Sequence, residues 1–244
     1  MNLGIIQAHV GSTRLPGKVM KKIVDKEILI HVYDRCKRAY KIDKLIIATS
    51  INKENDIIEE ICNKYKIECF RGSENDVLDR YYQCAINHKP NIVVRITSDC
   101  PLLEPKLIDY WIENMERDSV EFVEEEDKLY TGFGIDIFTM GALTKLKNNS
   151  KDPKQKEHVV GYYLEHKNEF SKKIYPLNEN LQYIYRPYRL TLDTIEDFNL
   201  IKFIYEKFYN NNYVDLKEVI NHIDENIDIL NVNSEIKQRK YNEI

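Results

Sequence analysis

No apolar run in these 244 residues approaches the roughly 20 consecutive positions a membrane-spanning helix needs, so no membrane segment is expected. The start of the chain has no basic stretch leading into a long apolar core, so no secretory signal is expected either. The five cysteines, Cys36, Cys62, Cys69, Cys84 and Cys100, form no CxxC pair. Their odd number and spacing exclude a disulfide framework and a zinc-cysteine site, and point to a reducing, cytoplasmic setting. There is no basic excess: the net charge is -4 with both signs interspersed, which argues against a nonspecific nucleic-acid binder. GxGxxG, HExxH, a Ser/His/Asp elbow and a Gly-Lys-Ser/Thr phosphate loop are all missing. Glycine is scarce, eight in all, beside abundant Asn, Lys and Ile, which reads as a composition bias.

What is present is an alternation. Short apolar runs at 3–8, 44–50, 67–70 and 91–99 read as buried strands, and amphipathic stretches at 28–39, 54–65, 76–88 and 105–115 read as helices between them. That order implies an α/β fold, a mostly parallel sheet with helices on both faces. The second half is less regular. Strands are expected at 120–123 and 134–138 around an acidic turn, with further strand-like runs at 173–177 and 188–192. Helices are expected at 142–147, 154–169, 194–208 and 214–223, with Thr194 and Asp197 as a capping pair. No repeat or linker divides the chain, so residues 1–230 are expected to form one domain, followed by a polar tail at 231–244.

The first strand runs into Gly11-Ser-Thr-Arg-Leu-Pro-Gly-Lys18. A buried strand feeding a glycine-bearing basic loop suits a polyphosphate, because glycine lets backbone N–H groups approach and Arg14 and Lys18 offset the charge. The alternative is a solvated loop charge pair. Asp99 and Asp193 each follow a strand-like run, where a carboxylate meets a ligand over the sheet edge. Together they could share a Mg²⁺, which takes one or two protein carboxylates plus phosphates and water. Read singly, Asp193 is a helix N-terminal acid and Asp99 a turn residue. Arg71 leaves a strand and could face the site. Arg80 is equally readable as a surface ion pair with Asp76 or Asp79. His158 alone would be a satisfied, partly buried imidazole. The seventeen tyrosines sit mostly at amphipathic-helix spacing and read as core and rim.

Several segments in order, Ile6 to Lys18, Ile47 to Ser50, Phe70 to Tyr82, Val94 to Leu102, Glu157 to Val159 and Arg189 to Phe198, resemble the SpsF-type spore-coat-polysaccharide cytidylyltransferases. These are relatives of the synthetases that activate Kdo and sialic acid with CTP. The resemblance implies a Rossmann-like nucleotidyltransferase fold with a small β insertion at about 120–140 that serves acceptor binding or dimerisation. It implies that Arg14 and Lys18 hold the triphosphate, and that Gln7, Ala8, Gly11, Ser12, Arg71, Ser73 and Ser98 complete the nucleotide site. Asp99 and Asp193 would bind Mg²⁺. Glu157, His158, Arg186 and Arg189 would face a small anionic acceptor, such as a sugar acid, a sugar phosphate or a phosphorylated amino acid like glutamine phosphate. The expected reaction transfers CMP and releases pyrophosphate, in surface polysaccharide or capsule modification, by a homodimer. A nucleotide-sugar-dependent glycosyltransferase and an inactive nucleotide-binding partner are the competing classes. The chain departs from the family pattern at Val160, where threonine is frequent, at His9, where a cation is usual, and in the acidic stretch between 120 and 132.

Overall fold

Alternating apolar runs and amphipathic stretches become alternating strands and helices in the computed structural model, which describes residues 1–238 and 241. The chain runs β1 (Asn2–Gln7), a hairpin of β2 (Lys22–Ile23) and β3 (Lys26–Glu27), α1 (Ile28–Cys36), β4 (Lys44–Ser50), α2 (Asp56–Tyr65), β5 (Cys69–Gly72), α3 (Val77–Ile86), β6 (Ile92–Thr97) and α4 (Pro105–Asp118). It continues through β7 (Phe122–Glu124), β8 (Ile135–Thr139), α5 (Met140–Asn149), α6 (Pro153–Glu157), α7 (Gly161–Glu165), β9 (Lys172–Ile174), α8 (Ile195–Phe208) and α9 (Leu216–Glu225).

Seven strands form one sheet in the order β5-β4-β1-β6-β8-β7-β9. β5, β4, β1 and β6 are parallel, β8 runs against both β6 and β7, and β9 is parallel to β7. The carboxyl ends of β1, β4, β6 and β7 therefore share one edge, together with the start of β8. Successive side chains alternate between faces. Ile6, Ile47, Val94, Ile96 and Ile137 pack under α1, α2, α4, α8 and α9, while Leu3, Ile5, Ile46, Val93 and Phe138 pack under α3, α5 and α7. Burial on both faces is why these strands read as unbroken apolar runs.

The structure departs from or adds to the expectations locally. The helix expected over 154–169 is two short helices, broken where buried Val159 takes φ 42°. Turning that valine into the core under α3 and α5 stops the helix. The run 188–192 is an extended segment with a single bridge, Thr131 to Arg189. It docks on the turn after β6 through Leu192 N–H to Asp99 O (2.8 Å) instead of joining the sheet. The strands near 120–138 extend the main sheet as β7 and β8, and the hairpin at 22–27, formed around Val24 at φ 56°, carried no alternating signal. In the tail, Asn233 is buried and bonds Asp197 Oδ1 at 2.9 Å.

Ile96→Ala, in the strand between β1 and β8, should lower the unfolding free energy by about 2–4 kcal/mol. Thr194→Ala should cost about 1 kcal/mol through the lost cap at α8. Urea denaturation checks both, and equal losses would contradict the packing described here.

Candidate active site

The loop after β1 is folded, not a free coil. Gly17 N–H bonds Val10 O (3.0 Å), Val10 N–H bonds Asn55 Oδ1 (2.9 Å), and Leu15 is buried. Gly17 takes φ 65° and turns the chain into a short 3-10 turn that points Lys18 inward. Lys18 is only 6% exposed, and its ammonium uses all three protons. Nζ donates to Asp99 Oδ2 (2.8 Å), Asp193 Oδ1 (2.9 Å) and Leu192 O (2.8 Å). Arg14 Nη2 reaches the same Asp193 Oδ1 at 2.9 Å. Burial alone would lower the Lys18 pKa, but the two carboxylates outweigh it and hold it above its ordinary value. Burial pushes Asp99 up, and Lys18 more than reverses that.

Asp99 and Asp193 meet because the extended segment before Asp193 lies along the turn after β6. Thr191 Oγ1 also donates to Asp99 O at 3.2 Å. At Gly134 (φ 56°) a Cβ would stand 2.5 Å from Cys100 Sγ and Thr97 Oγ1, so glycine there lets the start of β8 close against the same turn. Behind Asp193, Arg189 forms a bidentate pair with Asp197, Nε to Oδ1 at 2.9 Å and Nη2 to Oδ2 at 2.8 Å, and Nη2 also reaches Asp193 Oδ2 at 3.1 Å. Asp197 is fully buried and also accepts the N–H groups of Asp193 (3.0 Å) and Thr194 (3.1 Å). Arg189, expected on the acceptor side, therefore braces the aspartate.

A divalent cation fits this donor set. Two carboxylates converge on one point, and a buried ammonium already stands there in place of a cation. Among the described residues no group of three or more His, Cys, Asp or Glu could hold a metal. Two aspartates are within the one or two protein carboxylates that Mg²⁺ takes beside phosphate and water.

The other expected residues divide. Ser98 is buried beside Asp99, and Gln7 Oε1 accepts from Arg95 Nε at 3.1 Å at the end of β1. The Ala8 N–H is committed to Ala48 O (3.1 Å), Gly11 is exposed, and Ser12 is half-buried in the loop. Arg71 turns to α2, where Asp56 (2.7 Å), Glu59 (2.9 Å) and two backbone carbonyls occupy its guanidinium. Arg186 is held by Asp224 of α9 at 2.7 Å, and Glu157 is exposed at the end of α6. His158 stacks edge-on to Tyr241, its Nε2 buried without a partner, and burial lowers its pKa.

Arg80 corrects the reading as a surface ion pair. It is 4% exposed, while Asp76 and Asp79 pair with Lys147 instead. Among the described residues its side chain makes one hydrogen bond, to Ser73 O (3.0 Å), its Nε makes none, and burial lowers its pKa. Burial lowers the pKa of His9 and Lys18 lowers it further. The clue in the sequence was Asp76 itself. As the N-cap of α3 it accepts from Asp79 N–H, which turns it away from Arg80.

Asp197 carries a pH dependence. Burial raises its pKa, but Arg189 and Asn233 outweigh this and hold it below 3.8. A depressed folded pKa adds stability that is full above the unfolded value and is lost as pH falls through the folded one. Asp197→Asn should therefore cost about 3–5 kcal/mol near neutrality and progressively less below roughly pH 4, measured by urea denaturation against pH. A pH-independent cost would refute the linkage.

With this geometry in hand, similarity to known proteins is informative. A family profile described as cytidylyltransferase matches residues 3–225. The chain is 40% identical over 243 residues to an uncharacterised protein of Methanocaldococcus jannaschii, covering 99% of this chain and 98% of that one. It is 32% identical to the spore coat polysaccharide biosynthesis protein SpsF of Bacillus subtilis, covering 93% and 95%. A solved cytidylyltransferase from Leptospira borgpetersenii superposes with a TM-score of 0.87 at 32% identity, over 97% of this chain and 99% of that one. A family profile over residues 3–225 and relatives matched in sequence and fold along nearly the whole chain place this protein in the cytidylyltransferase family.

Proposed function

We propose that the protein transfers the cytidylyl group of CTP, taken as its magnesium complex, to a small anionic acceptor and releases pyrophosphate. The observation that carries this is the Lys18 ammonium held between Asp99 at 2.8 Å and Asp193 at 2.9 Å. A cation is already demanded between two carboxylates at the sheet edge, beside a loop bearing a second cation, Arg14. Asp99 and Asp193 are the Mg²⁺ ligands in this reading. When bound, the ion neutralises phosphate charge and orients the triphosphate. Lys18, released from the carboxylates, turns to the phosphates with Arg14. Arg189 and Asp197 keep Asp193 in place. An acceptor oxygen attacks the α-phosphorus in line, the P–O bond to pyrophosphate breaks, and the cations stabilise the charge that develops.

The acceptor is a sugar acid, sugar phosphate or phosphorylated amino acid, and the setting is the assembly of a surface polysaccharide in the cytoplasm. The likeness to SpsF supports that setting. A homodimer is part of the same proposal.

Pyrophosphate release from CTP and Mg²⁺ over a panel of phosphate- and carboxylate-bearing acceptors tests the reading, and its absence with every acceptor would overturn it. Asp193→Asn should cut turnover by about 100-fold or more while the circular dichroism spectrum is unchanged. Lys18→Met should weaken CTP binding by about 10-fold or more. It should also tighten nucleotide-free Mn²⁺ binding, read by electron paramagnetic resonance, because the competing ammonium is gone. An unchanged Mn²⁺ affinity would contradict the exchange of lysine for metal.

A further inference from the structure

Past α9 the chain turns back and reaches the site again from behind. A short 3-10 helix, Ile227–Val232, packs against α8 and α9 and delivers Asn233 to the interior, where it is 4% exposed. Backbone bonds close a turn on either side of it, Asn233 N–H to Leu230 O (3.3 Å) and Ile236 N–H to Asn233 O (3.1 Å). The side-chain amide has two N–H donors, and both go to the pair behind Asp193. Nδ2 donates to Asp197 Oδ1 at 2.9 Å and to Arg189 O at 3.2 Å. Five residues on, Gln238 Oε1 accepts from Arg189 Nη1. Tyr241 then anchors the segment on α6 and α7. Its hydroxyl donates to Glu165 at 2.6 Å, and Lys154 Nζ stands 4.5 Å from the centre of its ring. Burying an amide costs free energy unless its donors are matched, and here both matches fall on one ion pair.

What these bonds fix is the direction of one carboxylate. Asp193 Oδ1 faces Lys18 and Arg14, while Oδ2 is held from behind by Arg189 Nη2 at 3.1 Å. Rotation about Cβ–Cγ would exchange the two oxygens, and the bond to Arg189 opposes it. Arg189 can oppose it because its guanidinium is held at every nitrogen, Nε and Nη2 by Asp197 and Nη1 by Gln238. Asp197 is held in turn at Oδ1 by Asn233, which keeps its Oδ2 on the N–H groups of Asp193 and Thr194. We infer that Asn233 is a positioning residue for the reaction. Through Asp197 and Arg189 it keeps Asp193 Oδ1 aimed at the point shared with Asp99, and Gln238 supports the same arginine. An ammonium tolerates a carboxylate that swings, but Mg²⁺ demands near-ideal octahedral geometry, so the effect falls on the metal. Both residues lie beyond 225, outside the span matched by the family profile. This rests on the reading of Asp99 and Asp193 as the metal ligands.

Electron paramagnetic resonance titration of Mn²⁺ tests it, on the full-length protein saturated with a non-transferable α,β-methylene CTP. Asn233→Ala removes both donors and should weaken Mn²⁺ binding by about 10-fold. In turnover it should raise the Mg²⁺ concentration for half-maximal rate by a similar factor, with the KM for CTP at saturating Mg²⁺ within about twofold of the unsubstituted protein. Gln238 is exposed, so Gln238→Ala leaves packing alone and carries the test even if Asn233→Ala does not fold. It should weaken Mn²⁺ binding by about 3-fold. Val219→Ala, fully buried in α9 away from the site, is the control for stability alone. It should lower the urea midpoint and leave Mn²⁺ affinity unchanged. Unchanged Mn²⁺ affinity in Asn233→Ala, or in Gln238→Ala where Asn233→Ala does not fold, overturns the inference, as does an equal loss in Val219→Ala. If the unsubstituted protein with the CTP analogue binds no Mn²⁺, the reading of the two aspartates as metal ligands falls, and the inference with it.

Discussion

One buried ammonium organises the site. Removing Lys18 from water costs several kcal/mol unless its charge and all three N–H bonds are matched, and Asp99, Asp193 and Leu192 O match them. The neighbouring charges balance as well: Lys18, Arg14 and Arg189 face Asp99, Asp193 and Asp197. A balanced cluster lets two carboxylates stay close together without a metal.

The fold supplies this arrangement by geometry more than by local sequence. Parallel strands deliver β1 and β6 to the same edge, so the basic loop and Asp99 leave the sheet side by side. Asp193 arrives from the far end of the chain because its segment hydrogen-bonds along the turn that carries Asp99. The Arg189–Asp197 pair then fixes it from behind. Arg95 links the end of β1 to the start of β8 along the same edge, through Gln7 and Asp136.

The first half of the fold was legible because strands buried on both faces have no alternation to confuse with a helix, and the helices between them have one apolar stripe. The second half was less so. Val159 has a helical neighbourhood in sequence, yet a core position in space turns it to φ 42°. The run 188–192 has strand character, but the sheet has no place for it and it docks on a turn instead. Among the candidate residues, charge type and position after an apolar run brought Lys18, Asp99 and Asp193 forward, and the structure places the three in contact. Those two signals could not separate Arg71, whose guanidinium is occupied by α2, from Arg80, which is buried and nearly free. Which partner a long cationic side chain meets depends on neighbours distant in sequence.

Local chemistry in the sequence determined the alternation of strands and helices, the glycine-bearing basic loop and the carboxylate of Asp99 after β6, because each follows from periodicity or residue type within a few positions. Only the tertiary structure decided that Lys18 stands between Asp99 and Asp193, that Arg189 serves as a brace, and that Asn233 bonds to that brace. Those arrangements depend on sheet order and on the docking of segments some ninety residues apart, such as Thr191 on Asp99. Pairing over such separations is set by packing, and periodicity carries no record of it.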